Sequence, residues 1–444
     1  MFTHLIFLIL VLLLINFSSE FAPPEWIDTP WQAFGWGLLL YAATLGLIYL
    51  QNRQRKAPRG FLITLANFEL LLFLALFLFV LGGQRVLNTL PFVSGSQLAP
   101  ALFAFFLYLF GLGFSHYTLA QRQGHDEPFT DSTQQLRLIL PFALPFLLFL
   151  LLTDLVSLIP NERIQQILNG ENDLLLIVAS LSFMGLMLLF LPPLVVRIWQ
   201  CVPMEESPLK QRLEQLCVKA NFKHAGMLDW TILNRSHTAA ILGVLPTLRY
   251  ILFTKRLQED LPPEAIEAIL AHEIGHSYRK HLLIFPLILL GMIVCVSMYA
   301  FYAGPILEAW FEKHSSFEWS LVYPFALFIP YALIIWLYFR YVFGFFSRQF
   351  ERQADLHIFN LHLPPENMIR ALDQVAIATG FTHLVPNWHH FSIQERMNFL
   401  QQASTNTQLI SQHHRKVMWY LIGYLLLLIL CLGWLFYLTL WRGS

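Results

Sequence analysis

Charged residues are scarce in this chain. Only 13% of its 444 residues are Asp, Glu, Lys or Arg, where a soluble globular domain carries about 25%. That shortage speaks against an ordinary water-facing surface. With 56% hydrophobic residues and a mean hydropathy of +0.55, the chain reads as a polytopic membrane protein. An excess of either sign is also missing. Lys+Arg and Asp+Glu both total 28, so the basic face that nucleic-acid binding demands is absent and no such partner is expected. Cysteine is sparse. Cys201, Cys217, Cys295 and Cys431 form no C-x-x-C pair, and two of them lie in apolar runs. This speaks against a disulfide framework or a thiolate metal site and predicts four unpaired thiols. There is no internal repeat.

Long apolar runs are what the chain has in abundance. A bilayer-spanning helix needs about 20 mostly apolar residues. Nine segments are candidates: 2–16, 33–50, 61–82, 98–119, 138–159, 174–196, 282–303, 321–346 and 417–440. The first is short, and Ser18, Ser19 and Ala22 follow it as they would a cleaved signal peptide. No Lys or Arg precedes it, so an uncleaved anchor is the expectation. Loops 51–60 (Arg53, Arg55, Lys56, Arg59) and 120–137 (Arg122, Arg137) are basic. Loop 17–32 has no basic residue, and loops 83–97, 160–173 and 304–319 have one each. The positive-inside rule then puts the N-terminus and segments 198–281 and 347–416 in the cytosol.

The expected fold is mostly α: a polytopic helical protein of about eight or nine spans, with a small α+β zincin-like metalloprotease domain on the cytosolic face. Residues 1–197 form an N-terminal membrane region of about six spans. Segment 198–281 is the first half of the cytosolic domain, 282–346 a transmembrane hairpin, 347–416 the second half and 417–444 a last span. Within 198–281 the pattern predicts a helix around Leu209–Ala220 and strands at Thr231–Leu233, Ala239–Leu242 and Arg249–Phe253, with Gly243 and Pro246 as turn residues. A further helix begins at Pro262-Pro263, with Glu264 and Glu267 near the positive end of its dipole.

That helix carries His272 and His276. Their i, i+4 spacing puts two imidazoles on one face, near enough to share one ion. Glu273 lies between them, placed to reach a metal-bound water rather than the metal. This is the zincin arrangement: zinc lowers the pKa of its water and polarises a scissile carbonyl, and the glutamate takes and returns the proton. The helix is expected to run straight into the 282–303 span, keeping His276 within about 9 Å of the membrane. The chain crosses, returns through 321–346, and the first acid it meets is Glu351, on the same face at the same depth. Glu351 thus completes a His₂Glu site for one zinc per chain. Asp355, one turn on, suits a partner that fixes a histidine tautomer.

Leu-Pro-Pro-Glu-Ala-Ile-Glu-Ala-Ile-Leu-Ala-His-Glu-Ile-Gly-His at 261–276 and Ser-Arg-Gln-Phe-Glu-Arg-Gln-Ala-Asp at 347–355 together resemble the membrane gluzincin peptidases, the family of the zinc-dependent CAAX prenyl protease (Ste-type) and the HtpX heat-shock protease. The resemblance implies that His272, His276 and Glu351 ligate zinc, that Glu273 is the general base and that Asp355 supports a ligand. His-Phe-Ser-Ile-Gln-Glu-Arg at 390–396 is similar to the family's His-Pro-x-x-x-x-Arg segment, with Phe391 in place of the proline. It implies His390 as an oxyanion stabiliser, with His389 a competing candidate, and Arg396 as a partner of Asp355 or of the intermediate. Thr238-Ala239-Ala240-Ile241-Leu242-Gly243 resembles the family's Asn-Ala edge strand, which holds substrate main chain by β-addition. Thr238 replaces the usual Asn.

Other polar residues have competing readings. Glu69 and Asp154 lie within spans, where an acid is a functional candidate or a helix–helix hydrogen bond. His281 is expected to be solvated or interfacial, and the His413-His414-Arg415-Lys416 run to be an interfacial anchor. The function expected is an integral-membrane zinc metalloendopeptidase acting at the cytosolic membrane boundary on a peptide or protein substrate, membrane-embedded or lipidated. The alternatives are quality-control cleavage of misfolded membrane proteins and a transporter or scaffold with a degenerate zincin domain. A bacterial inner membrane is the expected location.

Overall fold

The computed structural model describes residues 2–18, 26–54 except 28, 56–83, 98–161, 189–314 except 235, 317–378 and 390–442, with isolated positions between them. In chain order the helices are α1 (Phe2–Ser18), α2 (Pro30–Gln54), α3 (Arg59–Ala75), α4 (Leu98–Arg122), α5 (Pro128–Ser157), α6 (Pro192–Ile198), α7 (Pro208–Lys219), α8 (Lys255–Asp260), α9 (Pro263–Tyr278), α10 (His281–Lys313), α11 (Phe317–Leu337), α12 (Gly344–Asp355), α13 (His357–Asn360), α14 (Pro365–Ala378), α15 (Ile393–Thr405) and α16 (Gln408–Arg442). The strands are β1 (Val202–Pro203), β2 (Gly226–Asp229), β3 (Ala239–Leu242) and β4 (Tyr250–Phe253). The chain forms two compact units, Met1–Met187 with Pro305–Ala332, and Leu188–Gly304 with Leu333–Ser444.

Among the described residues, seven helices are long and apolar enough to cross a membrane: Pro30–Gln54, Arg59–Val80, Leu98–Arg122, Pro128–Ser157, His281–Lys313, Val322–Asn360 and Gln408–Leu438. Each overlaps an expected span. The expected 2–16 span is α1, whose apolar stretch Leu5–Ile15 reaches only about 17 Å at 1.5 Å per residue, short of a bilayer core. Of the 174–196 segment, residues 174–178, 180, 181, 184 and 188 lie outside the described residues.

In the first unit α1 packs on α3 and α4, burying Leu8, Val11 and Leu14. Phe7 meets Phe68 edge-to-face at 4.8 Å. Several polar side chains inside this bundle are paired with groups elsewhere in it, as a medium without water favours. Asn52 Nδ2 donates to Thr118 Oγ1 at 2.8 Å, the Tyr108 hydroxyl donates to Asn67, and Gln51 donates to Glu69. Asp154 accepts from the Ser96 hydroxyl at 2.6 Å and from the Leu98 backbone N–H at 3.1 Å, serving the start of α4.

The second unit holds the sheet, in the order β1-β2-β4-β3. β1 pairs antiparallel with β2, β2 parallel with β4, and β3 antiparallel with β4, so β3 is an edge. The expected strand at Ala239–Leu242 is β3 itself. The expected strand at Thr231–Leu233 is instead a 3₁₀ turn. Trp230 stacks on Trp199 at 4.6 Å and ends β2, and the Thr231 hydroxyl turns away to the Gln200 carbonyl at 2.7 Å. Ile251, Phe253, Leu257, Ile266, Leu270 and Ile274 form the core that seats α9 against the sheet. Arg212 on α7 adds a polar clamp on the first turns of α9, bonding Glu264 at 2.9 Å and both oxygens of Glu267 at 3.0 Å.

One expected continuity is broken. α9 does not run into the next span: it ends at Tyr278, Lys280 adopts a left-handed backbone (φ 58°), and α10 begins at His281. A residue with φ above zero cannot sit inside a right-handed helix, so the axis changes there.

Candidate metal centre

The site lies wholly in the second unit, where α9 crosses α12. Gly275 permits the crossing. A Cβ at that position would stand 2.8 Å from the His357 Cβ and 3.0 Å from the Ala354 Cα, so only glycine lets the two backbones approach this closely.

The crossing brings His272, His276 and Glu351 together. His272 Nε2 and His276 Nε2 are 3.2 Å apart. Glu351 Oε2 is 3.6 Å from His272 Nε2, and Glu351 Oε1 is 3.4 Å from His276 Nε2. Tetrahedral zinc with bonds of about 2.0–2.1 Å has ligand-to-ligand edges of about 3.3 Å. Taking one ligand atom from each residue, the three lie within 4.8 Å of one another, a cluster close enough to hold one such ion. His272 and Glu351 are buried and His276 is half-buried.

A second ring of contacts orients these groups. Asp355 Oδ1 lies 2.8 Å from His272 Nδ1. The carboxylate accepts the Nδ1 proton, leaving the Nε2 lone pair facing Glu351. Arg396 grips the same carboxylate with two bonds, Nε to Oδ2 at 2.9 Å and Nη2 to Oδ1 at 2.7 Å, and its Nη2 also stands 3.6 Å from Glu351 Oε2. Burial opposes the Arg396 charge, but the Asp355 carboxylate outweighs it and holds the guanidinium above its ordinary pKa. His390 Nδ1 is 3.1 Å from Glu351 Oε2, with its ring partly open to the outside. The competing His389 lies outside the described residues.

Glu273 sits beside the histidines, half-buried. Burial raises the pKa of its carboxyl, against the opposing effect of His272 and His276 and of a hydrogen bond from the Ile241 backbone. The net shift is towards neutrality, which suits a group that both takes and returns a proton.

The Ile241 bond identifies the outward face of β3. The Thr254 N–H donates to the Thr238 carbonyl at 3.1 Å. By the alternation of an antiparallel ladder, the main-chain groups of Thr238, Ala240 and Leu242 face β4, and those of Ala239 and Ile241 face away. Of the three strand residues expected to contact substrate, Ala239 has its main chain on the outward edge. Thr238 and Ala240 are engaged in the sheet, and the Thr238 hydroxyl turns to the Ala239 carbonyl at 3.4 Å. Ile241 shares the outward edge, and period-2 reasoning from a known register would have found it.

Several contacts around the site were not foreseen from the sequence. Phe391, standing where the family pattern has proline, lies under the Arg352 guanidinium at 3.7 Å, and Phe399 lies 4.8 Å from the same guanidinium. Ser392 then caps α15 reciprocally with Glu395. Together these hold the segment that presents His390. His281, expected to be solvated or interfacial, is instead 1% exposed and stands 3.0 Å from His276. The His413-His414 run is no simple anchor either: His413 is buried, and His414 hydrogen-bonds Gln353 at 3.3 Å.

The model of Peptidase family M48 matches residues 203–413, a stretch holding both motifs and His390 through Arg396. The Probable CAAX prenyl protease 1 of Schizosaccharomyces pombe is 28% identical over 127 residues, which are 28% of this chain and 27% of that protein. The chain thus matches about a quarter of that relative's length. Among solved structures, the crystal structure of S. mikatae Ste24p aligns over 85% of this chain and 99% of that one, at 17% identity and a TM-score of 0.46. The family and sequence matches bear out the resemblance to membrane zinc metallopeptidases. With the seven membrane-length helices, they support a membrane metalloprotease.

Proposed function

We propose that this chain is a zinc metalloendopeptidase hydrolysing peptide bonds at the cytosolic boundary of a membrane, which we take to be a bacterial inner membrane. The observation that carries the reading is the convergence of His272, His276 and Glu351, with one ligand atom from each within 4.8 Å of the others and Glu273 beside them. His272, His276 and Glu351 hold one zinc. Zinc held there supplies Lewis-acid polarisation and lowers the pKa of bound water.

The remaining work belongs to the chain's own residues. An extended substrate pairs its main chain with Ala239 and Ile241 along β3. Glu273 takes a proton from the attacking water and returns it to the leaving amine. His390 and Arg396 face the charge that develops on the carbonyl oxygen. Asp355 keeps His272 in the metal-facing tautomer.

The name of the Schizosaccharomyces pombe relative directs the substrate proposal to lipidated C-terminal peptides. Unlipidated segments of misfolded membrane proteins are the competing class. Purified protein is expected to hold one zinc, Glu351→Ala to lose it, and Glu273→Gln to keep it while cleaving nothing. Full activity in Glu273→Gln overturns the mechanism. Mass spectrometry of peptides retained by the Glu273→Gln protein in its own cells separates the two substrate classes.

A further inference from the structure

Among the described residues, the group behind the second metal-facing histidine is another histidine and not a carboxylate. His276 Nδ1 stands 3.0 Å from His281 Nδ1, His281 Nε2 stands 3.1 Å from Gln353 Oε1, and Gln353 Nε2 stands 3.3 Å from His414 Nδ1. Four side chains from α9, α10, α12 and α16 are thus strung into one line. His281 and Gln353 are buried, at 1% and 7% exposure. The His281 ring lies flat on Phe350, with centroids 4.2 Å apart and planes 10° apart.

The proton inventory along this line has a direction. If His276 Nε2 offers its lone pair to a metal, its Nδ1 carries the hydrogen and must donate. His281 Nδ1 then accepts, so His281 Nε2 carries a hydrogen and donates to the Gln353 carbonyl oxygen. That fixes the Gln353 amide with its NH₂ towards His414 Nδ1, which accepts. Each of the three contacts along the line then pairs a donor with an acceptor. The opposite tautomer of His281 would make His276 Nδ1 the acceptor, put the proton on His276 Nε2 and block the ligand. It would also set the bare His281 Nε2 against the Gln353 oxygen.

We propose that His281, anchored by Gln353, is a positioning residue that holds His276 in its metal-binding tautomer and orientation. The helix break makes this possible. On a continuous helix, residues five apart point about 140° away from each other, so His281 could not reach back to His276. The left-handed Lys280 turns the chain so that it does. The inference rests on the proposed zinc site, and it assigns the last span a share in that site through His414.

The test uses the full-length protein purified in detergent and reads zinc affinity by competition with a chelator. His281→Phe keeps the flat ring on Phe350 and removes the acceptor. It is expected to weaken zinc binding about 10–100-fold, the usual cost of losing a partner behind a ligand, with the melting temperature of the zinc-free protein unchanged. His281→Asn, which returns an acceptor oxygen near the Nδ1 position, is expected to recover most of that loss. Gln353→Leu leaves His281 in place and removes its anchor. It is expected to weaken zinc in the same direction, and it decides the matter if the Phe variant fails to fold. Wild-type affinity in His281→Phe or in Gln353→Leu, or an Asn variant no better than Phe, overturns the inference alone. A wild-type protein that binds no zinc overturns the metal site itself and the inference with it.

Discussion

Asp355 Oδ1 and His272 Nδ1 stand 2.8 Å apart across 83 residues of sequence. The same carboxylate carries both bonds from Arg396, so one buried anion serves a metal-facing histidine on one side and a guanidinium on the other. Asp355→Asn keeps the shape and removes the charge. Zinc affinity is expected to fall about 10–100-fold. Stripping one partner from a buried pair also costs about 3–5 kcal/mol, so the zinc-free protein is expected to melt earlier. Chelator competition and thermal unfolding read the two effects separately; unchanged values in both would remove Asp355 from the support of the site.

Gly275→Ala is expected to destabilise the crossing of α9 and α12. The added methyl meets the Ala354 backbone at 3.0 Å as well as the His357 Cβ at 2.8 Å, and a backbone cannot swing aside as a flexible side chain can. Overpacking costs about 1–3 kcal/mol, which exceeds the roughly 0.5–1 kcal/mol that alanine gains over glycine in a helix. A lower melting temperature together with weaker zinc is the expected pair of results. A more stable protein would show that the two helices do not touch there.

Phe391→Ala removes one ring from the Arg352 guanidinium while leaving the metal residues alone. A partly buried cation–π contact is worth about 0.5–2 kcal/mol. If Phe391 positions His390, kcat/KM is expected to fall about 2- to 30-fold, at full zinc content. Loss of zinc in this variant, or no kinetic change at all, would break the link to His390.

Zinc removal by a strong chelator is expected to abolish cleavage and lower the unfolding temperature, and re-addition of zinc to restore both. At free zinc a thousandfold above Kd, the bound ion adds about 4 kcal/mol to the folded state. His276→Ala is expected to show no such zinc-dependent shift in melting. A shift of the same size in His276→Ala would place the ion elsewhere.

The features that reach the sequence by periodicity were legible in it. Hydropathy located the seven described spans, the i, i+4 rule paired His272 with His276, and counting spans returned Glu351 to the same face. What was not legible depends on where the backbone departs from regularity. His281 was misplaced because a straight α9 points it away from His276, and nothing in Tyr278-Arg279-Lys280-His281 announces a left-handed residue, since lysine there has no conformational preference for it. Gln353 and His414 acquire their partners only through that bend. Thr231–Leu233 has the composition of a strand, but the Trp199–Trp230 stack closes β2 before it. Ile241 was passed over because which edge of β3 faces outward follows from its register with β4, not from the residues themselves.

The break at Lys280 also bears on how such a chain can change over time. An unbroken helix would tie the bearing of His272 and His276 to the length of the span behind them: each residue gained or lost would swing one end about 100° against the other. With the axis interrupted at Arg279 and Lys280, α10 can lengthen or shorten to suit a thicker or thinner bilayer. The two imidazoles keep their aim as long as His281, at the start of α10, stays in place, so changes in span length beyond it need not disturb the zinc geometry.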